Sequence, residues 1–284
     1  VPTRASSAVE PEAARGRGVA PRRLPAATVS ESAGVRYLHL DSPWVQGAMR
    51  VARPQQVVLE YVQRMLAALL WRPLAEWPPG AAVQLGLGAG ALTRFVHAQL
   101  GMPTTAVELN PEVVAANRAW FRLPPVEIVL GDAADWLRVA APGSVRLLHV
   151  DLYDEEAAAP VLDDEAFYAG CHRALEAEGG VMAVNLFGRD AGFDTSVERI
   201  AAAFGAAQVW RLSPTKEGNT IVIAARGVAL PAADALRGRA DAIEARFGAL
   251  GLPARKWLRM LRPAATAATA ATAATAAAAG AGPA

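Results

Sequence analysis

The sequence of 284 residues contains a single cysteine, Cys171, and two lysines, Lys216 and Lys256. One cysteine excludes an intrachain disulfide and a thiolate metal cluster, and it fits a reducing compartment. No apolar run reaches the roughly 18 residues that a membrane span requires. No charged-then-apolar stretch of the signal type opens the sequence. A soluble, cytoplasmic protein with no membrane partner is therefore expected. No Ser–His–Asp set and no metal-ligand spacing stands out, so no metal site is expected. Scarce lysine beside abundant arginine and alanine suggests a GC-rich bacterial genome. Apolar residues are plentiful, at 53% against 19% charged, and although alanine inflates the figure, a buried core is readily supplied. The net charge of +1 is unevenly spread: residues 1–35 carry +2 and residues 226–284 carry +5, which leaves −6 on the stretch between. An acidic centre attracts small cations and repels nucleic acid; a merely solvated acidic surface would have the same composition.

Residues 1–30 are rich in Pro, Gly, Ala and Arg without periodicity, and disorder is expected there. Residues 263–284 form an uncharged Ala/Thr-rich tail with no face to bury. Over residues 31–79, "VRYLHL" and "WVQGAMRV" read as two short strands joined by "DSP", followed by the helical pattern "PQQVVLEYVQRMLAALLW" with Pro54 at its start. Over residues 80–227 the pattern becomes regular strand–helix alternation. The strands are "AVQLGL", "TTAVEL", "VEIVLG", "VRLLHVDL", "GVMAVNLF", "AAQVWRL" and "NTIVIAA", with helices after the first five. Apolar strands alternating with helices give a mostly parallel seven-stranded sheet covered on both faces. The short link "SPTKEG" makes the last two strands an antiparallel hairpin. Residues 228–262 read as C-terminal helices packed outside.

The loop "GLGAGALTR" places Gly86, Gly88 and Gly90 between the first strand of this sheet and a helix. Glycine permits a sharp turn and close approach of a ligand to the backbone, at a helix start that faces polar ligand atoms. A packing turn would need the same residues. Three acids then fall at strand ends. Glu108 lies 22 residues beyond Gly86, where a carboxylate accepts ribose hydroxyls. Asp132 follows the third strand in "GDA", placed for an adenine amino group. Asp151 ends the fourth in "LLHVDLYDEE", with Asp154 just beyond. Each acid alone could cap a helix; together they line the ends where open α/β sheets bind ligands. The loop has no phosphate-binding Lys or Arg, which fits a nucleoside better than a dinucleotide.

From about Val35 to Arg226 the sequence resembles the polyamine aminopropyltransferases, typified by spermidine synthase. The resemblance rests on the N-terminal β unit, the glycine motif and the order of the acids. It implies a Rossmann-like class I methyltransferase fold with a small N-terminal β unit. It also implies that Gln46, Gly86, Gly88, Gly90, Glu108, Asp132 and Ala133 contact a donor nucleoside, decarboxylated S-adenosylmethionine or S-adenosylmethionine, bound as co-substrate. Asp151 matches the catalytic proton acceptor and Asp154 the second acid of the loop over the acceptor. Tyr153 and Glu60 are candidates for binding the small-molecule amine. A homodimer through the β unit is implied, with no nucleic-acid partner.

The sequence departs from the family where the amine ends lie. Ala89 stands where an aspartate usually holds the donor's amine, and "SPTKEG" lacks the usual tyrosine. Three other readings stay open at this point: a methyltransferase using intact S-adenosylmethionine, a nucleoside-binding relative without catalysis, and an NAD dehydrogenase. His149 reads as a hydrogen-bonded core histidine and Cys171 as core packing. The tryptophans read as packing, with Trp44 able to border the site.

Overall fold

Order begins earlier in the chain than its composition suggests. In the computed structural model, which describes residues 24–152, 162, 164–187 and 191–264, β1 (Ala27–Ser32), β2 (Val35–Leu40) and β3 (Gly47–Arg50) form an antiparallel sheet in that order. The expected β unit had two strands and disorder up to residue 30; β1 corrects both. Its segment, Ala-Thr-Val-Ser-Glu-Ser, is polar and largely exposed, so no hydrophobic alternation marks it. Pairing with β2 supplies its order. The two-residue turn Ala33–Gly34 has positive φ at both positions, 50° and 72°, as a tight right-twisted hairpin requires. Residues 1–23 and 265–284, and the expectations placed on them, lie outside the described residues.

The first helix also starts elsewhere. α1 spans Glu60–Met65 and tightens into a 3₁₀ turn over Leu66–Trp71; it does not begin at Pro54. The preceding segment is held away from helical geometry by tertiary bonds. Val57 N–H donates to Leu250 O at 2.8 Å, and Gln63 Nε2 donates to Val57 O at 2.9 Å.

The large sheet is made by β4 (Ala82–Leu85), β5 (Thr104–Glu108), β6 (Glu127–Leu130), β7 (Leu147–Val150), β8 (Gly180–Phe187), β9 (Val209–Arg211), β10 (Asn219–Arg226) and β11 (Arg262–Pro263). Its order is β11–β9–β10–β8–β7–β4–β5–β6. β4 to β8 are mutually parallel, and β10 runs antiparallel to both β8 and β9. The expected seven strands are present. The eighth, β11, is a two-residue addition to the edge at β9 that no sequence pattern announces.

Helices cover both faces. Along β10, Ile221 and Ile223 join one core with Trp71, Trp77, Phe95, Phe247 and Trp257, while Val222 and Ala224 join the other with Phe167, Cys171, Ile200 and Phe204. This period of two is the strand's own geometry. The first core is closed by α1, α2 (Ala91–Phe95), α7 (Ala233–Phe247) and α8 (Ala254–Met260). The second is closed by α4 (Ala133–Val139), α5 (Glu165–Ala174) and α6 (Ala191–Phe204). α3 (Pro111–Trp120) lies beyond β5 and supports β1. The chain runs outward from β4 to β5 and β6, then returns to β7 on the other side of β4. That reversal opens a crevice at the carboxyl ends of these strands. Among the described residues, no helix is long and apolar enough to cross a membrane.

Candidate active site

A cavity of about 900 Å³ fills that crevice. Gly86 and Gly88 form its floor after β4. Glu108 enters from the end of β5, Asp132 from the turn after β6, Ala133 from the first position of α4, Asp151 from the end of β7, and Gln46 from the residue before β3. Glu60 borders it from the first position of α1. Eight of the positions singled out in the sequence thus meet around one space. Gly90 does not reach it. At φ +64° it caps α2, and an added Cβ there would lie 2.7 Å from Asn117 Oδ1. Tyr153 and Asp154 lie outside the described residues.

Two glycines of the loop hold positive φ at a close approach. Gly86 has φ +84°, and a Cβ on it would stand 2.1 Å from the carbonyl oxygen of Asp151. At Gly88, φ is +51° and a Cβ would meet Gln46 O at 3.0 Å. Gly86 therefore lets the ends of β4 and β7 close together, and Gly88 lets the N-terminal unit seat on the glycine loop.

At one end of the cavity, Glu108 Oε2 accepts from Leu87 N–H and Oε1 from Asn110 N–H, each at 2.8 Å. Burial raises its pKa, against these backbone bonds, which lower it. An ionised carboxylate offers about four acceptor sites, so capacity for hydroxyl hydrogens remains. Asp132 caps α4, its Oδ1 accepting from Ala134 N–H at 2.7 Å and Asp135 N–H at 3.3 Å. It borders the cavity as well, so capping and ligand contact are compatible.

At the other end stands Asp151. Burial pushes its pKa up to about 6, while hydrogen bonds from Asn185 and Tyr61 hold it down. Asn185 Nδ2 donates to Asp151 Oδ1 at 2.9 Å, and Asn219 Nδ2 donates to Asn185 Oδ1 at 3.1 Å. Tyr61, Asn185, Asn219 and Glu217 all line the cavity, and the sequence reading named none of them as site residues. Asn185 had a visible signal, being a lone amide near the carboxyl end of the otherwise apolar β8. Glu60 carries less free charge than expected, because Arg64 Nη2 pairs with it at 2.6 Å.

Ala89 is buried against Gly47. It borders a separate void of about 10 Å³ shared with Gln46, Tyr61 and Asp151, close to the least space that holds one water. His149 is buried and its pKa falls to about 3 through desolvation. It is a core residue as expected, but its Nε2 finds no hydrogen-bond partner among the described residues. Cys171 is buried in the second core. Trp44 is 62% exposed and borders the cavity rather than packing inside, and Trp120 is half exposed beneath the Arg36 guanidinium.

No family model matches the chain. The polyamine aminopropyltransferase of Chromobacterium violaceum is 35% identical over 231 residues, 79% of this chain and 86% of the relative. Among solved structures, a probable spermidine synthase from Corynebacterium glutamicum aligns with a TM-score of 0.64 at 17% identity, over 80% of this chain and 85% of that one. Human methyltransferase-like protein 13, solved with SAH, aligns with a TM-score of 0.58 at 24% identity, over 67% of this chain and 93% of that one. These two share the Rossmann-like fold. The curated relative goes further, since its identity extends over most of both sequences: the chain belongs to the polyamine aminopropyltransferases and is a transferase enzyme.

Proposed function

We propose that the protein transfers the aminopropyl group of decarboxylated S-adenosylmethionine to an amine, putrescine or another polyamine, with Asp151 as proton acceptor. The observation that carries this reading is the Asp151 carboxylate, which lines the cavity at the end of β7 with its pKa raised by desolvation, in the same cavity that Glu108 and Asp132 line. The donor's ribose lies against Glu108, its adenine against Asp132 and Ala133, and its sulfonium near Gly86, Gly88 and Gln46. The acceptor nitrogen lies beside Asp151.

An ammonium cannot attack; it must first lose a proton. A carboxylate with pKa near 6 is ionised at neutral pH yet more basic than an ordinary one, which suits it to that transfer. The amine lone pair then forms a bond to the carbon next to sulfur. The carbon–sulfur bond breaks with its electron pair moving to sulfur, which neutralises the sulfonium. The products are a longer polyamine and 5′-methylthioadenosine. Holding the two reactants in line supplies much of the remaining acceleration. Tyr61 and Asn185 orient Asp151, while Glu217 and the partly neutralised Glu60 attract the acceptor's second ammonium. Tyr153 and Asp154, outside the described residues, are further candidates for binding the amine.

The same reading includes a cytoplasmic homodimer. Among the described residues β1 is an edge strand of its sheet, which a second copy can pair with. Release of 5′-methylthioadenosine from the decarboxylated donor, followed with putrescine and longer amines, tests the function. Amine-dependent release is expected. Absence of release with every amine contradicts the reading.

A further inference from the structure

The hydrogen bonds behind Asp151 have only one consistent direction. A carboxylate accepts only, so Asn185 must present its NH₂ to Asp151 Oδ1, 2.9 Å away. That leaves Asn185 Oδ1 to accept, and its donor is Asn219 Nδ2 at 3.1 Å. Asn219 Oδ1 is then turned toward Thr215 Oγ1, 3.5 Å away, and the same hydroxyl oxygen accepts from Asn219 N–H at 3.2 Å. Thr215 N–H donates to Asn219 O at 2.8 Å, which closes the turn. Thr215 and Asn185 are each only 2% exposed. Glu217 borders the cavity on the same turn. A directed chain thus joins the β9–β10 turn to the proton acceptor.

We propose that Asn219 is a positioning residue: by fixing the amide of Asn185 it holds Oδ1 of Asp151 occupied, so that the carboxylate's other oxygen faces the acceptor amine. The inference rests on the reading of Asp151 as proton acceptor. Without Asn219, Asn185 can turn its amide over and set oxygen against oxygen at Asp151. The carboxylate then keeps Tyr61 but loses the Asn185 bond, and reorients or holds its proton more tightly. Among the described residues, the other ionisable groups lining the cavity are Glu60 and Tyr61 of α1, Glu108, Asp132 and Glu217. Arg64 is tied to Glu60, and His149 on β7 stays neutral. Asn219→Leu keeps the side chain's size and changes none of these charges.

The test is steady-state kinetics of the full chain across pH for the wild type, Asn219→Leu, Asn219→Gln and Asp151→Asn. Asn219→Leu is expected to lower kcat about tenfold, because turning Asn185 over removes its hydrogen bond to the charged Asp151 carboxylate, with the donor KM unchanged. The acid limb of kcat/KM should move to higher pH, because the lost bond favoured the ionised carboxylate. Asn219→Gln keeps a donor and should recover part of both; it also serves if the leucine variant does not fold. A fall in kcat with the acid limb unmoved, or no fall, overturns the positioning role. An inactive Asp151→Asn beside an Asn219→Leu of wild-type behaviour refutes the relay alone. Substantial turnover by Asp151→Asn removes the proton acceptor, and the relay with it.

Discussion

Asp151 couples activity and stability with opposite signs. Its carboxylate must be ionised to accept a proton, so kcat/KM should rise as pH passes through about 6 and level above it. A flat profile through that range contradicts the assignment. Stability runs the other way. The folded pKa lies above the roughly 3.9 of an unfolded aspartate, so the fold favours the protonated form. The stability this contributes is fully present below the unfolded value and is lost as pH rises through the folded one. A shift of this size corresponds to about 3 kcal/mol. Asp151→Asn should therefore lower kcat by roughly 10²- to 10⁴-fold while raising Tm at pH 8. A variant that loses activity and stability together would mark Asp151 as structural. Its place at a strand end made Asp151 legible in the sequence. Asn219 was not legible, because it reaches Asn185 only through the antiparallel register that sets Asn219 opposite Phe187, a non-local pairing that no local pattern encodes. Tyr61 escaped notice for a related reason: its value lies in a helix that starts at Glu60 and not at Pro54.

The turns after β4 and β6 do different work, and substitutions separate them. Gly86→Ala introduces a Cβ 2.1 Å from a backbone oxygen at φ +84°, where neither side can yield cheaply. A Tm lower by several degrees and loss of nucleoside binding are expected; unchanged binding of 5′-methylthioadenosine would show that β4 and β7 need not approach so closely. Asp132 both caps α4 and borders the cavity. In Asp132→Asn the new side-chain amide oxygen still caps the helix, so Tm should hold, while weaker nucleoside binding is expected from loss of a pure acceptor. Asp132→Ala should lose about 1 kcal/mol of stability as well. Equal donor affinity in both variants and the wild type would reduce Asp132 to a cap. The glycines and acids were readable because their spacing reports strand ends directly. β1 and β11 were not: one is polar and the other is two residues long, and each exists through its partner strand.

Among the described residues, β1 is a six-residue strand at the edge of its sheet. A homodimer built on that sheet should give twice the chain's mass by light scattering at micromolar concentration, and a single-chain mass would refute it. The large sheet, its helix cover and the crevice at the chain reversal followed from strand–helix alternation, which acts over the whole chain and survives errors at single boundaries. The acceptor side follows from no such pattern. The meaning of Ala89, Glu217 and the β9–β10 turn depends on what sits opposite them in space. The most direct measurement is product analysis by mass spectrometry. Wild type and Asp151→Asn would each be given decarboxylated and intact S-adenosylmethionine together with a pool of amines. The account predicts 5′-methylthioadenosine and an amine heavier by one aminopropyl group from the wild type, and almost none from the variant. S-adenosylhomocysteine with a methylated amine, or undiminished product from Asp151→Asn, would contradict it.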